Sequence, residues 1–432
     1  MTDQRIYWDE EVPEPTLVHP AKLPRHADVV VIGAGYTGLS AAFHLAKSGR
    51  RVVVLEAGRI GAGCSSRNGG MVGPSFHKLG TSGLIAKYGD EKTLGIMREG
   101  ILALDYFEAF VKENKLACDY QPVGRFRGAR TAADYESTGR ECDWLGKNLG
   151  LPTEMVPQSD QRAQIGTDFY RGGVIYHRDG GIHPRKLVLE LARVAQEAGA
   201  TIITECAVTG WDKDATGLNV KCAQGVIHAA EIVVATNAYA DKRTQVMSSR
   251  MVPIETAAVA TEELSADVMA ELTPLNRMHG ESGRVFMWYR PTPDRKRFIF
   301  GGRMGVPGAS EASRKAAFRK AMLRVFPQLD SVSFSHFWAG YVAYTTDHSP
   351  HIGHYDGVWV AGGYCGSGVT RSLYFGMKLA RKILRQPDRD TAFDDLPFEA
   401  VPFRRLAPHG ALAMTQWYAY QDARELRQRD KV

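Results

Sequence analysis

Residues 28–58 read DVVVIGAGYTGLSAAFHLAKSGRRVVVLEAG. Val29 to Ile32 is an unbroken apolar run of the kind that forms a strand buried on both faces. It leads into Gly33-Ala34-Gly35-Tyr36-Thr37-Gly38. A helix is predicted from about Thr37 to Ser48, with Leu39, Phe43 and Ala46 on one face. Arg51 to Leu55 predicts a second buried strand, with Glu56 at its carboxyl end, followed by Ala57. Gly33 permits the tight turn, Gly35 lets the backbone approach a pyrophosphate, and Gly38 lets helix and strand pack closely. The free N–H groups and the positive end of the helix dipole then receive phosphate charge. Glu56 lies about 20 residues on, where a carboxylate can accept hydrogen bonds from the adenosine ribose hydroxyls. Its charge disfavours a 2′-phosphate. Strand, glycines, helix, second strand and acidic residue are in register, so the unit binds an ADP moiety. It does not separate nicotinamide from flavin.

The chain of 432 residues has room for two domains, or for one large α/β domain with an insertion. Its 44% hydrophobic and 24% charged residues suit a globular enzyme. The net charge of +6 is spread without long blocks, so a nucleic-acid partner has no basic stripe to bind, while a mildly positive surface leans towards anionic substrates. The six cysteines are scattered with no Cys-x-x-Cys pair, which fits reduced thiols in a cytoplasmic protein rather than a disulfide framework or a zinc site. The thirteen histidines show no metal-ligand spacing, so no metal is expected. No segment approaches the ~18 apolar residues of a transmembrane span. The acidic, proline-containing start, MTDQRIYWDEEVPEPT, argues against a signal peptide.

Residues 1–26, with four prolines, read as an extended arm, and Tyr7 and Trp8 are expected to pack it on the surface. After Glu56 comes a glycine- and serine-rich loop, and from about Ile85 to Leu149 the pattern is helical. RVFMWYRPTPDRKRFIFGGR (284–303) predicts a hairpin turning at Pro291 to Lys296, and ASRKAAFRKAMLRVFPQL a basic helix. Nucleotide-type strand–turn–helix features recur at 28–70, 179–239 and 357–385. The predicted architecture is therefore α/β, α+β overall. A discontinuous Rossmann-like domain (27–80, 166–245, 346–386) carries a sheet-plus-helices substrate domain (81–165, 246–345). Residues 387–432 form a tail with a surface helix from His409.

Two further stretches bear on the cofactor. The loop Gly61-Ala62-Gly63-Cys64-Ser65-Ser66-Arg67-Asn68-Gly69-Gly70 can turn back to the pyrophosphate, with Ser65 and Ser66 as donors and Arg67 supplying charge. A nicotinamide enzyme needs no such loop; a larger ligand extending across the sheet does. Gly362-Gly363-Tyr364-Cys365-Gly366-Ser367-Gly368-Val369-Thr370 follows a short buried strand and opens a helix. Such a helix N-terminus suits the N1/C2=O side of a flavin ring.

These stretches, with RDGGIHPRKLVLELA (178–192), VVATNAY (233–239) and WAGYVAYTTDHSPHIG (338–353), resemble the D-amino-acid oxidase-type flavoproteins. Within them they look like the γ-glutamylputrescine oxidase-like branch, over residues 28 to about 385. The resemblance implies bound FAD and a β-sheet floor over the isoalloxazine. The expected cofactor residues are Gly33 to Gly38, Glu56, Ala57, Gly63, Ser65 to Gly70 and Met71. Val208, Ala235, Asn237, Gly340, Gly363, Cys365 to Gly368, Val369 and Thr370 complete the set. Relatives tether FAD through a histidine or a cysteine at positions that here hold Arg67 and Gly340, which implies a non-covalent flavin. Cys365 reads as a packed loop cysteine, and Ser367 stands where many branch members carry a histidine.

The implied reaction is oxidation of the C–N bond of a small amine or amino acid by hydride transfer to flavin N5. The imine then hydrolyses, and O2 reoxidises the flavin, giving hydrogen peroxide. A dehydrogenase passing electrons to a quinone or protein carrier is the alternative, and a flavin-binding subunit without substrate chemistry a more distant one. Trp288, Tyr289, Trp338, Tyr341 and Tyr344 are candidates for an aromatic lining. Arg303 and Arg290 are candidates for a carboxylate clamp. His77, Tyr344 and His348 are the catalytic candidates, the two histidines for steering a proton.

Overall fold

A computed structural model describes residues 4–10, 12–13, 15, 22–74, 77–404 and 406–429. The valine runs that predict buried strands form the centre of an eight-stranded sheet. Its order is His351–Tyr355, Val358–Gly362, Gly225–Val234, His26–Ile32, Val52–Leu55, Thr201–Ile203. The first strand of that order is antiparallel to its neighbour and the rest run parallel. Leu218–Cys222 and Val208–Lys213 extend from Gly225–Val234 as an antiparallel excursion. Helices Tyr36–Lys47, Pro184–Glu197 and Val369–Ile383 cover one face of this sheet. They approach closely: a Cβ on Gly376 would lie 2.5 Å from the Thr37 carbonyl oxygen.

A second eight-stranded sheet has the order Phe334–Tyr344, Val252–Thr261, Phe298–Gly302, Met287–Pro291, Met278–Glu281, Arg125–Gly128, Gly173–Tyr176, Thr153–Val156. Phe126, Tyr289, Phe298, Phe300 and Phe337 point from one face into a core closed by helix Glu311–Val325. The opposite face meets the nucleotide sheet's loops. The hairpin predicted at 284–303 is present as Met287–Pro291 and Phe298–Gly302. The long helical block needs correction. Helix Gly80–Glu113, broken at Gly89, and helix Ala132–Leu149 are separated by the strand Arg125–Gly128. Gly173–Tyr176 likewise belongs to the second sheet, although the sequence reading places 166–245 with the nucleotide unit.

The arm also departs from expectation. Trp8, in the short helix Tyr7–Glu10, is wholly buried, and its Nε1 donates to the Asn68 carbonyl at 3.0 Å. Burying an indole against Trp338 and His183 is worth more than laying it on the surface, once its N–H finds an acceptor. Residues 1–3, 11, 14 and 16–21 of the arm, and 405 and 430–432 of the tail, lie outside the described residues. The tail forms helix Ala407–Arg429, in which Asp422 is the one buried residue among those described. Its carboxylate accepts from Arg130 Nη1 at 3.3 Å, Arg284 Nη1 at 2.9 Å and the Val285 amide at 2.9 Å. Among the described residues no helix is long and apolar enough to cross a membrane, and no cluster of His, Cys, Asp or Glu could hold a metal ion.

Removing one partner from a buried ion-pair network strands the others, at about 3–5 kcal/mol. Asp422→Ala should therefore undock the tail and lower the chemical-denaturation stability by about 3 kcal/mol. A second expectation concerns acid. Burial pushes His77, His183 and His279 each from 6.5 down to about 3, so they are neutral in the fold. The unfolded chain protonates them below pH 6.5, so stability falls as pH drops from there towards 3. The slope is about 1.4 kcal/mol per pH unit for each. Asp179, raised by burial from 3.8 to about 6, acts in the opposite direction and offsets one of the three. Denaturation midpoints that stay flat between about pH 7.5 and 5 would contradict this.

Candidate active site

Three parallel strands deliver the site's loops to one edge of the nucleotide sheet, the carboxyl edge where such sheets bind ligands. Strand His26–Ile32 ends at Gly33, Gly225–Val234 at Ala235 and Asn237, and Val358–Gly362 at Gly363. The loops lock to one another. The Ala235 amide donates to Ile32 at 2.9 Å, and Asn237 Oδ1 accepts from the Gly363 amide at 2.9 Å. Gly33 has φ +105°, which only glycine adopts easily, and a Cβ on Gly38 would lie 2.0 Å from the Gly33 carbonyl oxygen.

Helix Tyr36–Lys47 starts at Gly35 with no side-chain cap. Glu56 accepts from the amides of Ala34 at 2.8 Å and Gly58 at 3.1 Å, with Ala57 exposed beside it. Ser65 Oγ accepts from the Tyr36 amide at 3.2 Å. Ser66 is fully buried, and its hydroxyl has no hydrogen-bond partner among the described residues. These features fit the pyrophosphate of FAD: a helix N-terminus, a glycine that lets the backbone approach, and a buried hydroxyl in need of an acceptor. Arg67 departs from its expected role. Its guanidinium donates to the carbonyls of Ala62 and Ala339 at 3.1 Å and to Gln4 at 3.0 Å, which fixes the loop to the arm and the second sheet.

The rest of that loop is held as tightly. Asn68 Nδ2 donates to the carbonyls of Cys64 and Ser65, and its Oδ1 accepts from the Gly70 amide at 2.8 Å. A Cβ on Gly63 would lie 2.9 Å from the Tyr239 ring, one on Gly69 2.7 Å from Trp288, and one on Gly340 3.5 Å from Arg67. Met71–Val72 pairs with Gly180–Gly181 as a small ribbon. At the other turn, Cys365 has φ +51°, its thiol donates to the Gly363 carbonyl at 3.3 Å, and burial raises its pKa. The Ser367 amide donates to Tyr364 at 2.9 Å, and Gly366 and Gly368 lead into helix Val369–Ile383, which has no side-chain cap. Thr370 Oγ1 donates to Gly73 at 3.0 Å. Val208 is buried beside Leu55 and Ile203 in the excursion.

The expected substrate residues separate by face. Trp288 lies over Gly301, where a Cβ would come 1.9 Å from the indole, and faces the loops. Tyr289, one residue on, points the other way, stacks on His279 and hydrogen-bonds Tyr170, so it belongs to the core. Tyr341 alternates away from Gly340 and lies exposed, edge-on to Tyr239 at 5.9 Å. Trp338 faces the loops but is buried under the arm, its Nε1 donating to Arg67 at 2.8 Å. Arg290 is fully buried and is no clamp: it donates to the carbonyls of Gly70 at 3.0 Å and Ile182 at 2.8 Å. Arg303 donates to Thr415 at 3.4 Å and to the Arg284 carbonyl at 3.2 Å.

His77 has both ring nitrogens engaged. Nδ1 accepts from the Leu79 amide at 3.2 Å, so Nε2 carries the proton and donates to Ser349 Oγ at 3.0 Å. Burial, aided by the Arg371 cation, holds it neutral, with a pKa of about 3. His348 has φ +60° and sits edge-on to Tyr344 at 6.0 Å, its pKa lowered by burial. Burial raises the Tyr344 phenol. Sequence reasoning read Trp8 as surface packing and missed Lys78, Arg125 and Arg127. The last two alternate with Phe126 and Gly128, a period-two pattern too short to stand out inside a block read as helical.

A two-sheet fold with a glycine-rich ADP turn, a returning serine–glycine loop and a second helix N-terminus on the same edge defines a flavin-dependent oxidoreductase. Residues 28–382 match the DAO family, described as FAD dependent oxidoreductase, and the chain belongs to that family, with FAD as its cofactor. It is 31% identical over 385 residues to gamma-glutamylputrescine oxidoreductase of Escherichia coli, covering 87% of this chain and 88% of that protein. It is 30% identical over 411 residues to the probable oxidoreductase OrdL of Haemophilus influenzae, covering 92% of each. Among solved structures, glycine oxidase from Geobacillus kaustophilus superposes with a TM-score of 0.72 at 20% identity, over 88% of this chain and 99% of that one.

Ser66→Ala removes a buried hydroxyl that lacks a partner in the protein alone. The apoprotein should be as stable as wild type or more so, while FAD affinity falls about tenfold, the cost of one charge-assisted hydrogen bond. Thermal melts of apoprotein and flavin titration together check both halves.

Proposed function

We propose that the chain oxidises the C–N bond of a small amine or amino acid, with O2 as the electron acceptor. The observation that carries this reading is the convergence of Gly33–Gly38, Asn237 and Gly363–Gly368 on one edge, above the loop-facing side of the second sheet. The names of the relatives, a gamma-glutamylputrescine oxidoreductase and glycine oxidases, support an amine as substrate. Bound FAD supplies the two-electron acceptor for an α C–H hydride. Residues 27–80, 178–245 and 346–386 hold the cofactor, and the second sheet supplies the substrate floor. Six free thiols, five of them buried, suit a reducing compartment.

The protein's part in the reaction is to place the amine and keep it neutral. Tyr344 and His348 lie edge-on to each other, and burial keeps the phenol protonated and the imidazole neutral, so neither holds a charge that would compete for the amine proton. His77 donates to Ser349, whose amide binds Asp347, so it braces the turn that carries His348. It is a positioning residue.

Anaerobic mixing of the yellow holoenzyme with amines and amino acids should bleach the flavin, and air should restore it with release of one peroxide per turnover. Bleaching with no peroxide would assign the electrons to a quinone or protein carrier. A flavin that no amine bleaches would remove the reading. Neither Arg67 nor Gly340 can form a tether, so acid denaturation should release all the yellow colour from the chain. Colour that stays with the polypeptide would point to Cys365.

A further inference from the structure

The arm precedes residues 28–382, the part of the chain that matches the family, yet it grips the flavin loop at its start, middle and end. At the start, the Asp9 carboxylate accepts from Arg59 Nη2 at 2.5 Å and lies 3.5 Å from Arg185 Nε. In the middle, Arg67 Nη1 donates to Gln4 Oε1 at 3.0 Å, and the same oxygen accepts from the Ala339 amide at 3.0 Å. Near the end, Trp8 Nε1 donates to the Asn68 carbonyl at 3.0 Å. Glu10 adds an anchor on the second sheet, 2.8 Å from His336 Nε2. Residues 4–10 thus tie the loop, the helix Pro184–Glu197 and the second sheet together.

The contacts at Arg67 and Asn68 set which way the loop's peptide groups face. Two indoles donate to consecutive carbonyls, Trp338 to Arg67 at 2.8 Å and Trp8 to Asn68. No peptide bond among the described residues is cis, and a trans peptide points its N–H opposite its C=O. In this stretch the amides of Ser66, Arg67, Asn68 and Gly70 all have protein acceptors. The Gly69 amide shares its peptide group with the carbonyl that Trp8 holds. It turns away from the indole and finds no acceptor among the described residues. Gly69 is half-buried, and folded chains seldom leave such a donor unpaired. It stands in the loop whose Ser66 hydroxyl likewise lacks an acceptor.

We propose that Trp8 is a positioning residue for the cofactor: by holding the Asn68 carbonyl it presents the Gly69 amide to FAD, so that docking of the arm and binding of FAD strengthen each other. A donor fixed before the ligand arrives costs little further ordering when it binds. The coupling is reciprocal: whatever factor the docked arm adds to FAD affinity, FAD adds to docking of the arm. The role is independent of which amine is oxidised. The indole's other contacts, over Arg290 at 5.5 Å and against His183 at 4.9 Å, can be kept by a phenyl ring, whereas the N–H cannot.

Trp8→Phe therefore separates the donor from the packing. In the full-length protein it should weaken FAD binding to the apoprotein about 3- to 10-fold, the worth of one hydrogen bond, and shift the flavin absorbance band of the holoprotein. A Trp8 that only packs would instead lower the melting temperatures of apoprotein and holoprotein alike, with flavin affinity and spectrum at wild-type values. Gln4→Ala, which releases the arm's other end from Arg67 and Ala339, should also weaken FAD binding in a folded protein. Hydrogen exchange on the wild-type protein needs no variant: adding FAD to the apoprotein should slow exchange of the amides of residues 4–10 by a comparable factor. Unchanged affinity and spectrum in folded Trp8→Phe protein, or arm exchange indifferent to FAD, would overturn the proposal.

Discussion

The side chain on which the two sheets depend is Arg290. It leaves the second sheet from strand Met287–Pro291, is fully buried, and spends its guanidinium on the carbonyl oxygens of Gly69, Gly70 and Ile182. Those carbonyls belong to the two segments that meet where the Ile182 amide donates to Gly70 at 2.8 Å. One cation therefore fixes the end of the flavin loop to the start of helix Pro184–Glu197 and both to the floor. Desolvation pushes its pKa down to about 10, still far enough above neutral to keep it charged. Trp8 covers the planar face at 5.5 Å, which explains why an arm that looks like loose chain is buried. A hydrogen bond from a charged donor contributes about 1.5–3 kcal/mol, and three converge here. Lysine could not replace this geometry, because a single ammonium lacks the planar fork.

With the loop held there, the backbone near Gly69 and Gly70 cannot follow a ligand; the ligand must fit the loop. Asn68 adds to this by binding three backbone groups of the same loop, and elsewhere on the edge Asn237 ties two strand ends together. The site is thus assembled from backbone more than from side chains. That suits a cofactor that brings its own chemistry and asks of the protein mainly shape and dipoles.

The nucleotide half was legible because its determinants are local. A valine run, three glycines at fixed offsets and an acid about 20 residues on lie within one segment, and each has a backbone reason that holds in any context. The floor was not legible for an equally physical reason. A strand's two faces differ only by parity, and nothing local says which parity looks at the cofactor. Trp288 and Tyr289 are adjacent aromatics on one strand, yet one lies under the flavin loop and the other is sealed in the core against Tyr170. Arg290 shares parity with Trp288, and its burial followed from a partner more than 200 residues away in sequence. Tyr341 fell on the wrong side of Gly340 in the same manner. The strand Arg125–Gly128, four residues long, disappeared between two helices.

Charge along the cofactor path is asymmetric, and the asymmetry divides the labour. Beside the first glycine turn the acid Glu56 is satisfied by the amides of Ala34 and Gly58. Beside the second glycine turn stands Lys78, its Nζ 3.8 Å from where a Cβ on Gly366 would sit, and burial holds His77 and His348 neutral.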